Sequence, residues 1–150
     1  MKRLDILYLR WFLVVLAAVT ILLCFAWLPV EADAAATDNP EVAFLKYPIL
    51  LGILATSAAF LWALYQSWQL LGIAAPEAPA SPAHLSCTKH IGYAGVSIAS
   101  SYAAGMFVLA MSNALHPGLA LVGMVVILLS LGVSAFATWL GQVLLRVLVA

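Results

Sequence analysis

The chain has 150 residues, of which 66% are hydrophobic and 8% charged, and its six acidic side chains are offset by six basic ones. Soluble domains are roughly 45–50% apolar and about 25% charged, so this composition, with a mean hydropathy of +1.12, specifies an integral membrane protein and excludes a soluble one. The balanced charge says nothing of a nucleic-acid partner, and with no basic cluster in the chain direct nucleic-acid binding is not expected.

A helix needs roughly 20 apolar residues to cross a hydrocarbon core of about 30 Å. Four stretches reach that length, at about 8–30, 47–73, 91–111 and 119–145. Long continuous apolar runs satisfy their backbone as helices, whereas barrel strands alternate. The predicted fold class is therefore all-α, an integral membrane four-helix bundle forming one domain.

The first run follows Met1-Lys2-Arg3 and precedes EADAAA, which imitates a signal peptide. A signal core spans about 7–15 residues, and this run is longer. Trp11 and Trp27, about 24 Å apart on a helix, suit the two bilayer interfaces. A small residue would precede a lipoprotein cysteine, and Leu23 precedes Cys24. An uncleaved first helix is expected, facing lipid because Ala17-Ala18 is its sole small patch, with Cys24 as a packing residue.

An outer loop is expected at 31–46, where Glu31, Asp33, Asp38 and Glu41 stand against Lys46 around an Asn39-Pro40 break. Its acids are too sparse for a calcium site. In the second helix Pro48 marks the start, and Gly52, Thr56, Ala59, Ala63 and Gln66 share a face that lets another backbone approach. The helix ends in ALYQSWQLL. There Tyr65 and Trp68 read as interfacial anchors, and Tyr65, Gln66, Trp68 and Lys89 form a candidate surface for docking a partner.

Residues 74–90, GIAAPEAPASPAHLSCTKH from Gly72 onward, read as a proline-rich, extended cytoplasmic linker that enters the third helix. His84, Cys87 and His90 lie at three-residue steps. On a helix these drift about 60° per step, so neighbouring pairs can chelate together but not all three comfortably. A closed zinc site takes four ligands, and Cys24 and His116 fall elsewhere. The stretch therefore reads first as a polar helix entry with Lys89 and His90 at the headgroups; metal binding, or a thiol at Cys87 activated by Lys89, are the alternatives. No cofactor is expected.

The third helix is crowded with small residues. Ser97, Ser101 and Ala104 line one side and Gly92, Gly95 and Gly105 lie elsewhere, so it is placed at the centre of the bundle. Pro117 opens the fourth helix, whose Gly123, Ser130, Ser134, Ala137 and Gly141 form one stripe. These stripes read as intramolecular packing, with a homodimer face as the competing reading. Lys2, Arg3, Arg10, Lys89 and Arg146 lie on one side of the membrane-spanning pattern and the acidic loop on the other, so the positive-inside rule places both termini and residues 74–90 in the cytoplasm.

Neither Lys46 to Glu77 nor Lys89 to Arg146 contains an Asp, Glu, Lys or Arg between its ends. Charges kept inside a membrane usually mark transport or catalysis, so this pattern argues against an ion-coupled transporter, a pump, an intramembrane metalloprotease and an enzyme generally. The Ser, Thr, Gln and Tyr side chains in the helices are left to join helices or line a small-molecule cleft.

YPILLGILATSAAFLWALYQSWQLL, through Tyr47, Pro48, Gly52, Thr56, Phe60, Ala63, Leu64, Tyr65 and Gln66, resembles the second helix of the domain of unknown function 2975 family of bacterial inner-membrane proteins. The last helix is similar at Pro117, Gly118, Gly123, Ala135, Phe136, Ala137, Leu144 and Leu145. The resemblance covers about residues 45–147 and rests on packing motifs. It departs in the 74–90 loop, which is charged in the family and proline-rich here. It implies a four-helix membrane protein without established enzymatic activity, often encoded beside a small helix-turn-helix repressor. The expected function is thus a non-enzymatic, multi-pass inner-membrane protein that binds or modulates such a cytoplasmic regulator. A dimeric small-molecule permease, with the third-helix serines lining a path, and an accessory subunit of a membrane complex are the rivals.

Overall fold

The computed structural model describes residues 3–73 and 82–149. Among them there is no strand, and four helices are long and apolar enough to cross a membrane.

The first of these is longer than expected. α1 (Arg3–Leu22) runs into a π-helical stretch (Leu23–Trp27) and on into α2 (Leu28–Asp38), giving one rod of 35 residues from Leu4 to Asp38. At 1.5 Å per residue it is about 52 Å long, well beyond a hydrocarbon core of about 30 Å. The loop expected from residue 31 is therefore helical to Asp38. Its Ala-rich EADAAATD is a good helix former despite its charge.

The π turn has a local cause. Pro29 lacks an N–H, and its ring crowds the carbonyl four residues back. The turn just before it is widened, with the Leu28 N–H bonding to the Leu23 carbonyl, and the rod continues past the proline. The rod ends at Asn39 (φ −130°, ψ 73°), where the following Pro40 disfavours helical backbone. A 3₁₀ turn (Pro40–Leu45) then leads into α3 (Lys46–Ile73), and the Lys46 ammonium pairs with the Asp33 carboxylate across this corner.

α4 (Pro82–Met111) begins with a proline in its first turn, and α5 (Pro117–Val149) does the same. Residues 82–90, expected in the linker, are thus the first turns of α4; residues 74–81 lie outside the described residues. The α4–α5 turn is closed by a Schellman arrangement. Ala114 N–H bonds to Leu109 O at 2.9 Å and Asn113 N–H to Ala110 O at 3.1 Å, with Asn113 at φ 53°, a conformation Asn tolerates. The His116 ring then caps α5, its Nδ1 accepting from the Gly118 N–H at 3.2 Å.

α4 is the central helix, packing most extensively on α5 and next on α3, whereas α1 touches mainly α3. The α5 stripe, whose partner the sequence left open, meets α4. A Cβ at Gly95 would lie 2.7 Å from the Ser130 carbonyl oxygen, and one at Gly141 3.0 Å from Thr88 Oγ1. Gly123 lies against the Met106 thioether, and Ser134 Oγ donates to the Gly92 carbonyl at 2.9 Å.

The α4 side of this contact differs from the expected one. Thr88, Gly92, Ala94, Gly95 and Ala99 are buried, whereas Ser97 and Ser101 are exposed. Ser97 stands two residues from Gly95, so it projects about 200° round the helix from the α5 contact. On α3, Thr56 and Gln66 are buried and Ala59 and Ala63 half-buried, but Gly52 is exposed and a Cβ there would meet nothing within 4 Å.

Candidate functional site

The four spanning helices together line one cleft of 270 Å³. Its polar wall is made of hydroxyls: Thr20 from α1, Thr56 and Ser57 from α3, Tyr102 from α4 and Ser130 from α5. Phe60, Ile98, Val126 and Leu129 supply the apolar remainder.

The hydroxyls fall into two groups. Thr20 donates to Leu16 O at 2.8 Å, and Thr56 and Ser57 each donate to Ile53 O at 2.8 Å. Hydroxyls bonded back to their own helix keep lone pairs for an outside donor but have no proton left to give. Tyr102 and Ser130 differ, since neither side chain has a hydrogen-bond partner among the described residues. The α1 and α3 wall therefore accepts, and the α4 and α5 wall can donate.

The π turn lies beside this cleft. It carries Cys24, a buried residue whose Sγ donates to Ser57 Oγ at 3.0 Å. Single π turns often occur at functional sites, and here the turn sets the direction of one side chain next to the cleft wall.

The His84, Cys87 and His90 stretch does not converge. His84 and Cys87 are buried, whereas His90 is exposed and meets the Trp62 ring edge-on at 6.2 Å between centroids. The 60° drift per three residues separates them, and no group of three potential metal ligands comes together among the described residues. Cys87 is only 7% exposed and Lys89 projects outward. Reactive thiols need access and a nearby positive charge, and this one has neither.

The docking candidates lie at the end where α3 finishes and α4 starts, and they split between surface and core. Tyr65, Trp68 and Lys89 are exposed; Gln66 is buried and belongs to the packing. The Gln69 amide donates to the Tyr65 hydroxyl at 2.7 Å, and Trp62 lies 5.7 Å from Tyr65 between ring centroids. Arg10 from α1 completes the array with its guanidinium 5.1 Å over the Trp68 ring.

Several of these residues escaped the sequence reading. Arg10 was counted only as a flanking base, yet its Nε is buried and without a hydrogen-bond partner among the described residues, so the Trp68 ring face is its main compensation. Leu28-Pro29 inside an apolar run could have signalled the π turn. Tyr102, a phenol near the middle of a spanning helix, could have signalled the cleft.

No solved structure matches the chain. An uncharacterized membrane protein of Bacillus subtilis (strain 168), YoaS, is 30% identical over 146 residues, covering 96% of this chain and 91% of its own. The profile of the family described as "Protein of unknown function (DUF2975)" matches residues 30–148, the stretch holding three of the four spanning helices and most of the cleft. With four apolar spanning helices and these two matches, the chain is a multi-pass membrane protein belonging to the DUF2975 family.

Proposed function

We propose that this chain is a non-enzymatic protein of the bacterial cytoplasmic membrane that binds a cytoplasmic helix-turn-helix regulator at the end where α3 finishes and α4 begins. One observation carries the reading. Exposed Tyr65, Trp68 and Lys89 lie at that end, where Trp62 packs against Tyr65 and meets His90 and the Arg10 guanidinium lies over the Trp68 ring. Aromatic and Arg side chains are the commonest anchors of protein interfaces. The bases Arg10, Lys89 and Arg146 share this end of the bundle while Asp33 and Lys46 mark the opposite one, so the positive-inside rule turns the array to the cytoplasm. The regulator as partner rests on the family resemblance alone.

Affinity purification from native membranes tests the proposal. Deleting residues 76–88 would be a poor variant, because 82–88 pack into the bundle. Tyr65→Ala combined with Lys89→Glu, two exposed positions outside the Arg10–Trp68 contact, should instead reduce recovery of the regulator at least tenfold while the bundle keeps its thermal stability. Unchanged recovery would defeat the docking surface.

A second reading has one observation behind it. Ser97, Ser101 and Gly105 repeat every four residues on α4, the serines exposed and the Gly105 Cβ position open. Such a row suits close contact with a second helix in lipid, and so a homodimer, as the permease alternative requires. Ser101→Cys should then yield a disulfide-linked dimer in membranes under mild oxidant, and a purely monomeric product would remove this reading.

A further inference from the structure

We propose that the hydroxyl-lined cleft is a binding site for an uncharged, lipid-soluble carbonyl compound that diffuses freely within the bilayer, of the quinone type. This goes beyond the docking reading and stands independently of it.

The first argument is depth. The spanning segments are Leu4–Asp38, Pro40–Gly72, Pro82–Met111 and Pro117–Arg146, and every cleft residue lies within about six positions of the middle of its own segment. Thr20, Thr56 and Ser130 are each within two. At that depth the surrounding medium is hydrocarbon, not water. The ester carbonyl of an ordinary lipid is tethered to a headgroup at the interface, many ångströms away, so an untethered molecule is required.

The second argument is charge. Hydroxyls and apolar side chains line the cleft, with no Asp, Glu, Lys, Arg or His among them. A charged ligand would be desolvated there without a counter-charge. A neutral ligand meets no such penalty.

The third argument is hydrogen-bond polarity. Thr20, Thr56 and Ser57 have committed their protons to backbone carbonyls. The Tyr102 and Ser130 hydroxyls have no hydrogen-bond partner among the described residues. A polar group unmatched in a low-dielectric setting is unfavourable, and both are relieved by an acceptor placed between α4 and α5. A ring carbonyl supplies that acceptor while the rest of the ring lies against Phe60, Ile98 and Leu129. The volume, 270 Å³, lies just below the roughly 300 Å³ at which small-molecule sites begin, so it admits one substituted ring but not a second.

The test is photolabelling of the full chain in lipid vesicles with an azido-quinone, competed by decylubiquinone and mapped by peptide mass spectrometry. Labelling should fall on the α4 and α5 peptides that carry Tyr102 and Leu129, and the competitor should suppress it. Tyr102→Phe, which keeps the ring and removes the donor, should weaken competition about tenfold. Ile98→Phe, which fills the cleft from the apolar side, should abolish specific labelling; thermal unfolding checks that both variants fold. The proposal is overturned by absent or uncompeted labelling, by equal labelling from an azido-alkane of the same length, by labelling that survives Ile98→Phe in a folded protein, or by preferential labelling from a photoreactive diacylglycerol. None of these outcomes depends on a bound regulator, so failure here and failure of the docking reading are distinguishable.

Discussion

Glycines that look alike in the sequence differ sharply in what surrounds them. Gly95 faces the Ser130 carbonyl at a Cβ distance of 2.7 Å, while Gly52 faces nothing within 4 Å. Gly95→Ala should therefore destabilise the bundle by about 1–3 kcal/mol, the usual cost of overpacking. Gly52→Ala should be neutral or stabilising by up to about 1 kcal/mol, because Ala favours the helix. Unfolding both variants in mixed micelles checks the contrast, and equal effects would contradict the packing described here. Ser134→Ala removes an interhelical hydrogen bond to Gly92 O and should lose about 0.6 kcal/mol in the same assay. The α5 stripe was legible in the sequence because its small residues occupy one face among large ones. The α4 face was not, because Gly92, Ala94, Gly95, Ser97, Ala99 and Ser101 leave small residues on every side and the phase is set only by what α5 presents.

Among the elements, the boundaries departed from expectation at two places, each for a physical reason. Charge suggested a loop at 31–46, yet Ala-rich composition carries the helix to Asp38 until Asn39-Pro40 stops it. Prolines and polarity suggested a linker up to residue 90, yet Pro82 sits in a first turn and Thr88, at 1% exposure, is fully packed against Gly141. The π turn was beyond periodicity analysis, since one inserted residue shifts a helical face without altering composition. Deleting Ala26 should remove it and rotate everything before it by about 100°, separating Cys24 from Ser57 and Arg10 from Trp68. That variant should lose clearly more stability than Cys24→Ala, which removes only one weak bond. Equal stability of the deletion and the parent would show that the turn positions nothing. In the α4–α5 turn, Asn113→Val should cost roughly 1–2 kcal/mol because its left-handed backbone excludes branched side chains, whereas Asn113→Gly should be tolerated; thermal unfolding separates them.

For the whole molecule, composition led to the membrane, the lengths of the apolar runs to the four spans and the small-residue pattern to the central place of the third span, because the bilayer restricts a chain to few architectures. The cleft was legible only as a supply of hydroxyls: Thr20, Thr56, Ser57, Tyr102 and Ser130 are separated by up to 110 positions in the chain, and only the packing of α4 between its neighbours brings them together. At the end proposed for docking, the sequence singled out Tyr65, Trp68 and Lys89 by their chemistry, whereas the place of Arg10 over Trp68 required the α1–α3 contact. The proposed function requires that this end holds a cytoplasmic regulator. The most direct measurement is site-specific photocrosslinking in native membranes from a benzoylphenylalanine placed at Tyr65, with Ser97 as the control position. The account predicts a one-to-one adduct with a helix-turn-helix protein from position 65, absent from position 97 and lost on Lys89→Glu. No adduct from position 65, or the same adduct from both positions, would contradict it.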